Sequence, residues 1–481
     1  MLFCSLQYCV FLPIVVLLYW LLPKFRKPLL VVASYCFYMS WLPAYGVLLF
    51  GLTLANYIFG LVLERNRKKH LLYLAVAFNL AALCYYKYAN FLVDAVFKAT
   101  NFAGGLVGHS SAVSTEPVLN VILPLGISFF AFEFIHYVVD VYRGSQALRK
   151  PLDFFVFASF FPSQIAGPIK RYQDFEKQLN EPKRLQRDDI LEAFGFLLKG
   201  YFKKRALADN LAPFTAFGAG SVHSLGTIGA WVVMVAFVLQ VYYDFSGYTD
   251  IGIGSARLLG FRLPNNFNLP YVSSRNMIEF WQRWHITLTT WLRDYVLTPI
   301  TGFRASKLRF HVGTLITMTA CGLWHGAAWH FVAWGFLHGI VLVLTREYQQ
   351  LVRGSELLRR VHGYWLSEPV AKLGTVMQWM LLATFFLAKS VPDALSILHN
   401  MFVSTPGVEL VREVLRSPLP EAFGLYCVFG LFCITGIPWL TQATQLVSRR
   451  VPARLALYAV GFAAVLLFGP KSSNPFIYFQ F

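Results

Sequence analysis

Apolar stretches long enough to cross a bilayer recur along nearly the whole chain, separated by short runs of lysine and arginine. A hydrocarbon core of about 30 Å calls for about 20 apolar residues in a helix. On that basis the pattern predicts a helix in the first twenty residues, then helices at about 28–42, 46–63, 71–93 and 118–141. In the last third it predicts helices near 370–390, 421–445 and 455–469. These runs are too continuous for the alternating strands of an outer-membrane barrel. Residues 152–168 and 251–300 are less regular, with breaks at Ala166-Gly167-Pro168 and Pro264-Asn265-Asn266. They predict re-entrant or interfacial helices, because irregular backbone at membrane depth must be buried in protein or line a cavity. The expectation is an all-α polytopic integral membrane protein, one domain over residues 1–481, with about eleven spans plus several short helices.

Composition agrees. The chain is 57% hydrophobic and 14% charged, against about 25% charged in soluble domains. Net charge is +18, concentrated in inter-helix runs such as Arg143 to Lys150, Lys170 to Arg187, Lys199 to Arg205 and Arg304 to Arg309. The positive-inside rule assigns such runs to the cytoplasm, which places both termini on the extracytoplasmic side. A surplus of positive charge also suits an anionic, phosphate-bearing substrate. Without a basic leader or a small-residue cleavage site, the first apolar run is expected to remain as a membrane helix. The seven cysteines form no C-x-x-C pair, so neither a disulfide framework nor a metal site is expected.

Candidate chemistry is concentrated in the middle. The nearly uncharged segment His311 to Leu344 contains Trp324-His325-Gly326 and, beyond it, Trp329 and Trp334-Gly335-Phe336-Leu337-His338-Gly339. Ionisable groups at membrane depth are costly and tend to be functional. His325 suits a general base toward a hydroxyl, with Trp324 and Trp329 as walls; the competing reading is a core histidine bonded to a carbonyl. His338, thirteen residues on and about 220° around an ideal helix, reads as structural. A polar helix starting near Asn276, with Glu279 as capping partner, carries Arg283, His285 and Asp294. On one unbroken helix Arg283 and Asp294 would share a face within about 20°. Asp244, Ser246 and Asp250 follow an apolar stretch in Tyr243-Asp244-Phe245-Ser246-Gly247-Tyr248-Thr249-Asp250. No G-x-S-x-G, P-loop or dinucleotide fingerprint is present. The tail, 471–481, ends in Phe476-Ile477-Tyr478-Phe479-Gln480-Phe481. It is too aromatic for a solvated terminus and is expected to dock.

The Trp324-His325-Gly326 segment, Arg283-Trp284-His285, Leu123-Pro124-Leu125-Gly126, Ala166-Gly167-Pro168-Ile169 and the Tyr243 to Asp250 stretch resemble the membrane-bound O-acyltransferases, chiefly the bacterial branch serving alginate O-acetylation. The resemblance spans nearly the whole chain. It implies a ring-like helical fold around a central tunnel, His325 as the signature histidine and His285 as the second. It also implies a cytoplasmic acetyl-CoA donor, with no permanently bound cofactor, in the bacterial inner membrane. The acyl group would pass to a separate extracytoplasmic, esterase-like transferase acting on a polysaccharide, with Tyr478 as relay hydroxyl. Alginate is the favoured glycan; peptidoglycan and cellulose remain alternatives. Transfer of D-alanine to teichoic acid keeps the family but changes the donor. A polysaccharide transporter or flippase would explain broken helices but not the histidines or the docked tail.

Overall fold

All regular structure among the described residues is helical, as a solvent without hydrogen-bonding capacity requires of a chain that is not a closed barrel. The computed structural model describes residues 1–106, 119, 121–165, 167–268, 273–302, 304–365, 368–403, 451–470 and 474–477. The expected helix at 421–445, much of the Gly/Ser-rich loop before residue 118, and Tyr478 with the rest of the tail lie outside them. Six helices are long and apolar enough to span a membrane, or seven if a bent pair counts as one span. That is fewer than the eleven expected from sequence, over the described residues alone. The described residues group into two compact units.

The first unit covers residues 14–165 and 169–181. It contains the second half of α1 (Leu6–Leu21), α2 (Arg26–Met39), α3 (Ala44–Arg65), α4 (Lys69–Leu83), α5 (Ala89–Leu106), α6 (Ile127–Arg143), α7 (Pro151–Ser159) and α8 (Tyr172–Asn180). α1 and the chain through α2 bend by 110° at their break. α4 runs on through a π-turn into α5, so the helix expected at 71–93 reaches Leu106. The helix expected from 118 starts only at Ile127, because Pro124 lacks an amide and Gly126 takes φ 74°, a left-handed value that glycine tolerates. Asn56 and Asn79 exchange reciprocal amide hydrogen bonds of 2.9 and 2.7 Å, fastening α3 to α4 as polar side chains do between membrane helices. Lys170, expected in a cytoplasmic loop, is instead buried, with its ammonium 2.7 and 2.8 Å from the two carboxylate oxygens of Glu133.

The second unit covers residues 2–13, 166–168 and 182–481. Its helices are α9 (Arg187–Tyr201), α10 (Asp209–Gly220), α11 (Thr227–Leu258), α12 (Met277–Arg283), α13 (Ile286–Leu292), α14 (Thr298–Thr301), α15 (Lys307–His325), α16 (Trp329–Gly354), α17 (Glu356–Trp365), α18 (Glu368–Leu387), α19 (Val391–Phe402) and α20 (Val451–Phe468). α11 is 32 residues long and almost wholly buried. It includes the Tyr243 to Asp250 stretch, so Asp244 and Asp250 lie within the helix rather than after it. α15 and α16 form a tight hairpin in which Gly322 faces Gly335. A methyl group on Gly322 would sit 2.9 Å from the Gly335 nitrogen and against the Phe331 carbonyl, so only glycine permits this backbone approach.

Gly322→Ala should force the hairpin apart, at a cost of about 1–3 kcal/mol for an overpacked contact. The measurement is thermal unfolding in detergent: a lowered midpoint is expected, and an unchanged one would remove the contact's structural role.

Candidate functional site

His325 closes α15. Ser306 caps the start of that helix, its hydroxyl accepting the Arg309 amide at 3.3 Å. The turn after His325 is held by Gly326, where a side chain would collide with the Phe331 ring. The imidazole is 5% exposed. It lies 4.7 Å from the Trp324 ring, 5.1 Å from Trp334 and 5.1 Å from Phe386, centroid to centroid. It lines a cavity of about 30 Å³ with Trp284, Trp334, Trp379, Phe386 and Val241. Room of that size admits one small group, on the scale of a water molecule or two.

His285 is placed by a fault in the polar helix. The predicted cap is present: Glu279 N–H donates to Asn276 Oδ1 at 3.0 Å. The expected single helix, however, stops at Arg283 and restarts at Ile286. Between them His285 has φ 43°, the lone positive value for a non-glycine among the described residues. Such a backbone costs of the order of 1–3 kcal/mol and persists only where its surroundings enforce it. Asn266, after α11, does the enforcing. Its carbonyl oxygen accepts Ile286 N–H at 2.9 Å, and its Oδ1 accepts Thr287 Oγ1–H at 2.6 Å. The same Oδ1 lies 3.3 Å from His285 Nδ1. An amide oxygen only accepts, so this contact assigns the proton to Nδ1 and leaves the lone pair on Nε2. Nε2 is buried and has no hydrogen-bond partner among the described residues. Burial of the ring away from water disfavours its charged form.

Both histidines touch the Trp324 ring, His325 at 4.7 Å and His285 at 6.1 Å. Phe245 of α11 lies 4.6 Å from His285 and 6.1 Å from Phe476 of the tail. The structure therefore brings together His325, His285, Trp324 and the described part of the tail. It separates other expected site residues from them. Trp329 is 58% exposed at the start of α16 and is not among the cavity walls. With the helix broken at His285, Arg283 and Asp294 lose their common face. Arg283 pairs with Glu279 at 2.7 Å and Asp294 with Arg293 at 2.8 Å. Asp244 does not line the His325 cavity; it pairs with Lys204 at 2.8 Å. Ser246 is buried on the same helix, its hydroxyl without a partner among the described residues. His338 is fully buried against Trp281 and Trp334, at 5.3 and 4.5 Å.

The Lys199 to Arg205 run is not a surface loop. Lys203 and Lys204 are buried in a π-helical segment, and Lys204 lies 3.5 Å from the Pro475 carbonyl. The run and the tail therefore share one location. The run's charge is neutralised within the fold: Lys199 and Lys203 lie 3.0 and 2.7 Å from Asp250, and Lys204 lies 2.8 Å from Asp244.

A second cleft, of about 430 Å³, opens between α12–α13 and α15–α16, lined by Trp281, Gln282, Thr289, Arg293, Thr317 and Arg346. Its Trp281 wall lies 6.0 Å from Trp334, which in turn faces His325.

Sequence comparison identifies the family of the chain. The profile of MBOAT, the membrane-bound O-acyltransferase family, matches residues 141–387. The chain is 34% identical over 504 aligned residues to the probable alginate O-acetylase AlgI of Azotobacter vinelandii, covering 98% of each chain. It is 34% identical to the peptidoglycan O-acetyltransferase of Helicobacter pylori, over 83% of this chain and 79% of that one. Its identity to the teichoic acid D-alanyltransferase of Streptococcus thermophilus is 31%, over 48% of this chain and 60% of that one. A profile across half the chain and a full-length relative at this identity show that the chain belongs to the membrane-bound O-acyltransferase family, as an all-α, multi-pass membrane O-acyltransferase.

Proposed function

We propose that the protein moves acetyl groups from cytoplasmic acetyl-CoA, across a bacterial inner membrane, to the O-acetylation of an extracytoplasmic polysaccharide. An alginate-like polymer is the favoured acceptor. The observation that carries the reading is the buried histidine pair on Trp324 next to a cavity of about 30 Å³. Such a cavity suits a two-carbon acyl group and not a long chain. An alignment over 98% of a probable alginate O-acetylase, against 79% of the peptidoglycan relative at the same identity, supports the alginate-like acceptor.

In the proposed step the Tyr478 phenol attacks the thioester carbonyl. The new C–O bond forms as the C–S bond breaks, and His325 takes the phenol proton and returns it to the departing CoA thiolate. His285 has its lone pair on Nε2, so it fits as a hydrogen-bond acceptor that orients donor or phenol. Stabilising an oxyanion would need a donor there. The 430 Å³ cleft would hold the donor's pantetheine arm, with Arg293 and Arg346 toward its phosphates; the Arg304 to Arg309 run would add to that positive field. The acetyl-tyrosine would then be read by an esterase-like transferase outside the membrane. Support for a tail-borne relay is the burial of Phe476 and Ile477, with Phe476 beside Phe245, which also touches His285.

His325→Ala should lower acetyl transfer from labelled acetyl-CoA by about 10²-fold or more, the usual worth of a positioned base, with the detergent-extracted protein still folded. Transfer at the wild-type rate would sink the assignment. Asn266→Ala should cost about tenfold or more in rate, for a lost buried hydrogen-bond anchor of about 1–3 kcal/mol, while acetyl-CoA binding is unchanged. An unaltered rate would mean that the bend at His285 holds without Asn266. In steady-state competition, butyryl-CoA should be a markedly poorer donor than acetyl-CoA; equal use of both would contradict the small-cavity argument.

A further inference from the structure

Lys204, Asp209 and Asp244 are each about 1–2% exposed, among the most deeply buried charges in the second unit. Lys204 Nζ lies 2.8 Å from Asp244 Oδ1 and 3.0 Å from Asp209 Oδ1. Arg205 approaches the other Asp209 oxygen at 3.5 Å, so two cations balance two anions. Burying such a cluster is expensive, and replacing it with apolar packing is often neutral or stabilising. Stability alone is therefore a weak reason for it. What distinguishes this cluster is where its remaining hydrogen-bonding capacity goes.

That capacity goes to the C-terminal segment. Asp244 Oδ2 accepts the Ile477 amide at 2.7 Å, and the Lys204 ammonium lies 3.5 Å from the Pro475 carbonyl. The Asp209 backbone carbonyl accepts the Asn474 side-chain amide at 3.2 Å. Just before these residues, Asn210 donates to the Phe468 carbonyl at 2.8 Å, and Arg205 donates to the Pro470 carbonyl. Between the two gripped peptide groups, Phe476 is buried and stacked on Tyr248 at 4.4 Å. A π-helical segment over Phe202–Ala208 carries the two cations; such segments are frequent at functional sites. The tail backbone is thus read by charge-assisted hydrogen bonds, which hold register more firmly than neutral ones.

We propose that Lys204, Asp209 and Asp244 are positioning residues, an ionic clamp that fixes the register of the C-terminal segment. The clamp sets the register in which Phe476 meets Phe245, the neighbour of His285. The next α-carbon is 3.8 Å further along the chain by covalent geometry, so a one-residue slip would misplace a relay hydroxyl by about that distance. The clamp itself stands on the contacts above; its consequence for catalysis rests on the proposed tail relay.

The test uses the full-length protein in detergent and two variants. Asp244→Ala removes the acceptor of the Ile477 amide and leaves Lys204 paired with Asp209. Phe476→Ala loosens the tail without touching the ion cluster, and so keeps the test open if Asp244→Ala fails to fold. Carboxypeptidase trimming of the C-terminus, followed by intact mass, should accelerate in both variants by about tenfold or more, the worth of one charged hydrogen bond or one buried ring. In Phe476→Ala, acetyl label on the tail should fall by a comparable factor while acetyl-CoA binding, measured by equilibrium dialysis, stays at the wild-type value. A merely structural role would not produce that split. Wild-type trimming rates in the folded variants would overturn the clamp. If trimming accelerates but the wild-type tail never takes label, the clamp stands and the tail relay fails.

Discussion

The site depends on the backbone contact between Gly322 and Gly335. Because neither residue has a side chain, α15 and α16 meet closely enough for the last residue of one, His325, to lie against Trp334 of the other. Membrane helices gain little from hydrophobic burial against one another, since lipid is equally apolar; close backbone packing takes its place. The same contact lets Trp334 and Phe386 wall off the imidazole, so that a histidine at this depth sits in a dry, rigid and small space. Electrostatic interactions in such a space are stronger than in water, which is the physical basis for the proposed chemistry.

The second histidine is held by opposite means. His285 occupies a strained backbone conformation where the polar helix breaks, and one asparagine pays for it with both its backbone and side-chain oxygens. The two histidines thus reach Trp324 from different structural sources, one at a regular helix end and one at a forced bend. The tail enters through a third, the ionic cluster on α11 and the π-helical segment before α10. Phe245 joins these last two, touching His285 on one side and Phe476 on the other.

Much of this was legible in the sequence, and the exceptions have a common cause. Hydrophobic run length located the spans at 46–63 and 370–390, and the paired Trp and Gly around His325 marked the site, because those signals are local. The Asn276 and Glu279 cap was also local. The break at His285 was not legible, because Arg283 to Asp294 reads as one helical repeat and the partner that breaks it, Asn266, is nineteen residues away; only the Pro264-Asn265-Asn266 interruption hinted at it. Lys203 and Lys204 read as loop residues because composition cannot tell a solvated lysine from one neutralised by a distant carboxylate, here Asp250 and Asp244. Trp329 was assigned to the wall by sequence proximity to His325, whereas the helix start at that residue turns it outward.

On the proposed reading, acyl transfer takes place at the His325 cavity beside Trp324. The most direct measurement is an electron cryo-microscopy map of the full-length protein with a non-hydrolysable acetyl-CoA analogue, its sulfur replaced by a methylene group. Analogue density is expected to run from the cleft of Arg293 and Arg346, past Trp281 and Trp334, with the acetyl group in the cavity beside the His325 and Trp324 rings. Density for the acetyl group elsewhere, with the cavity between His325 and Trp284 unaltered, would contradict it.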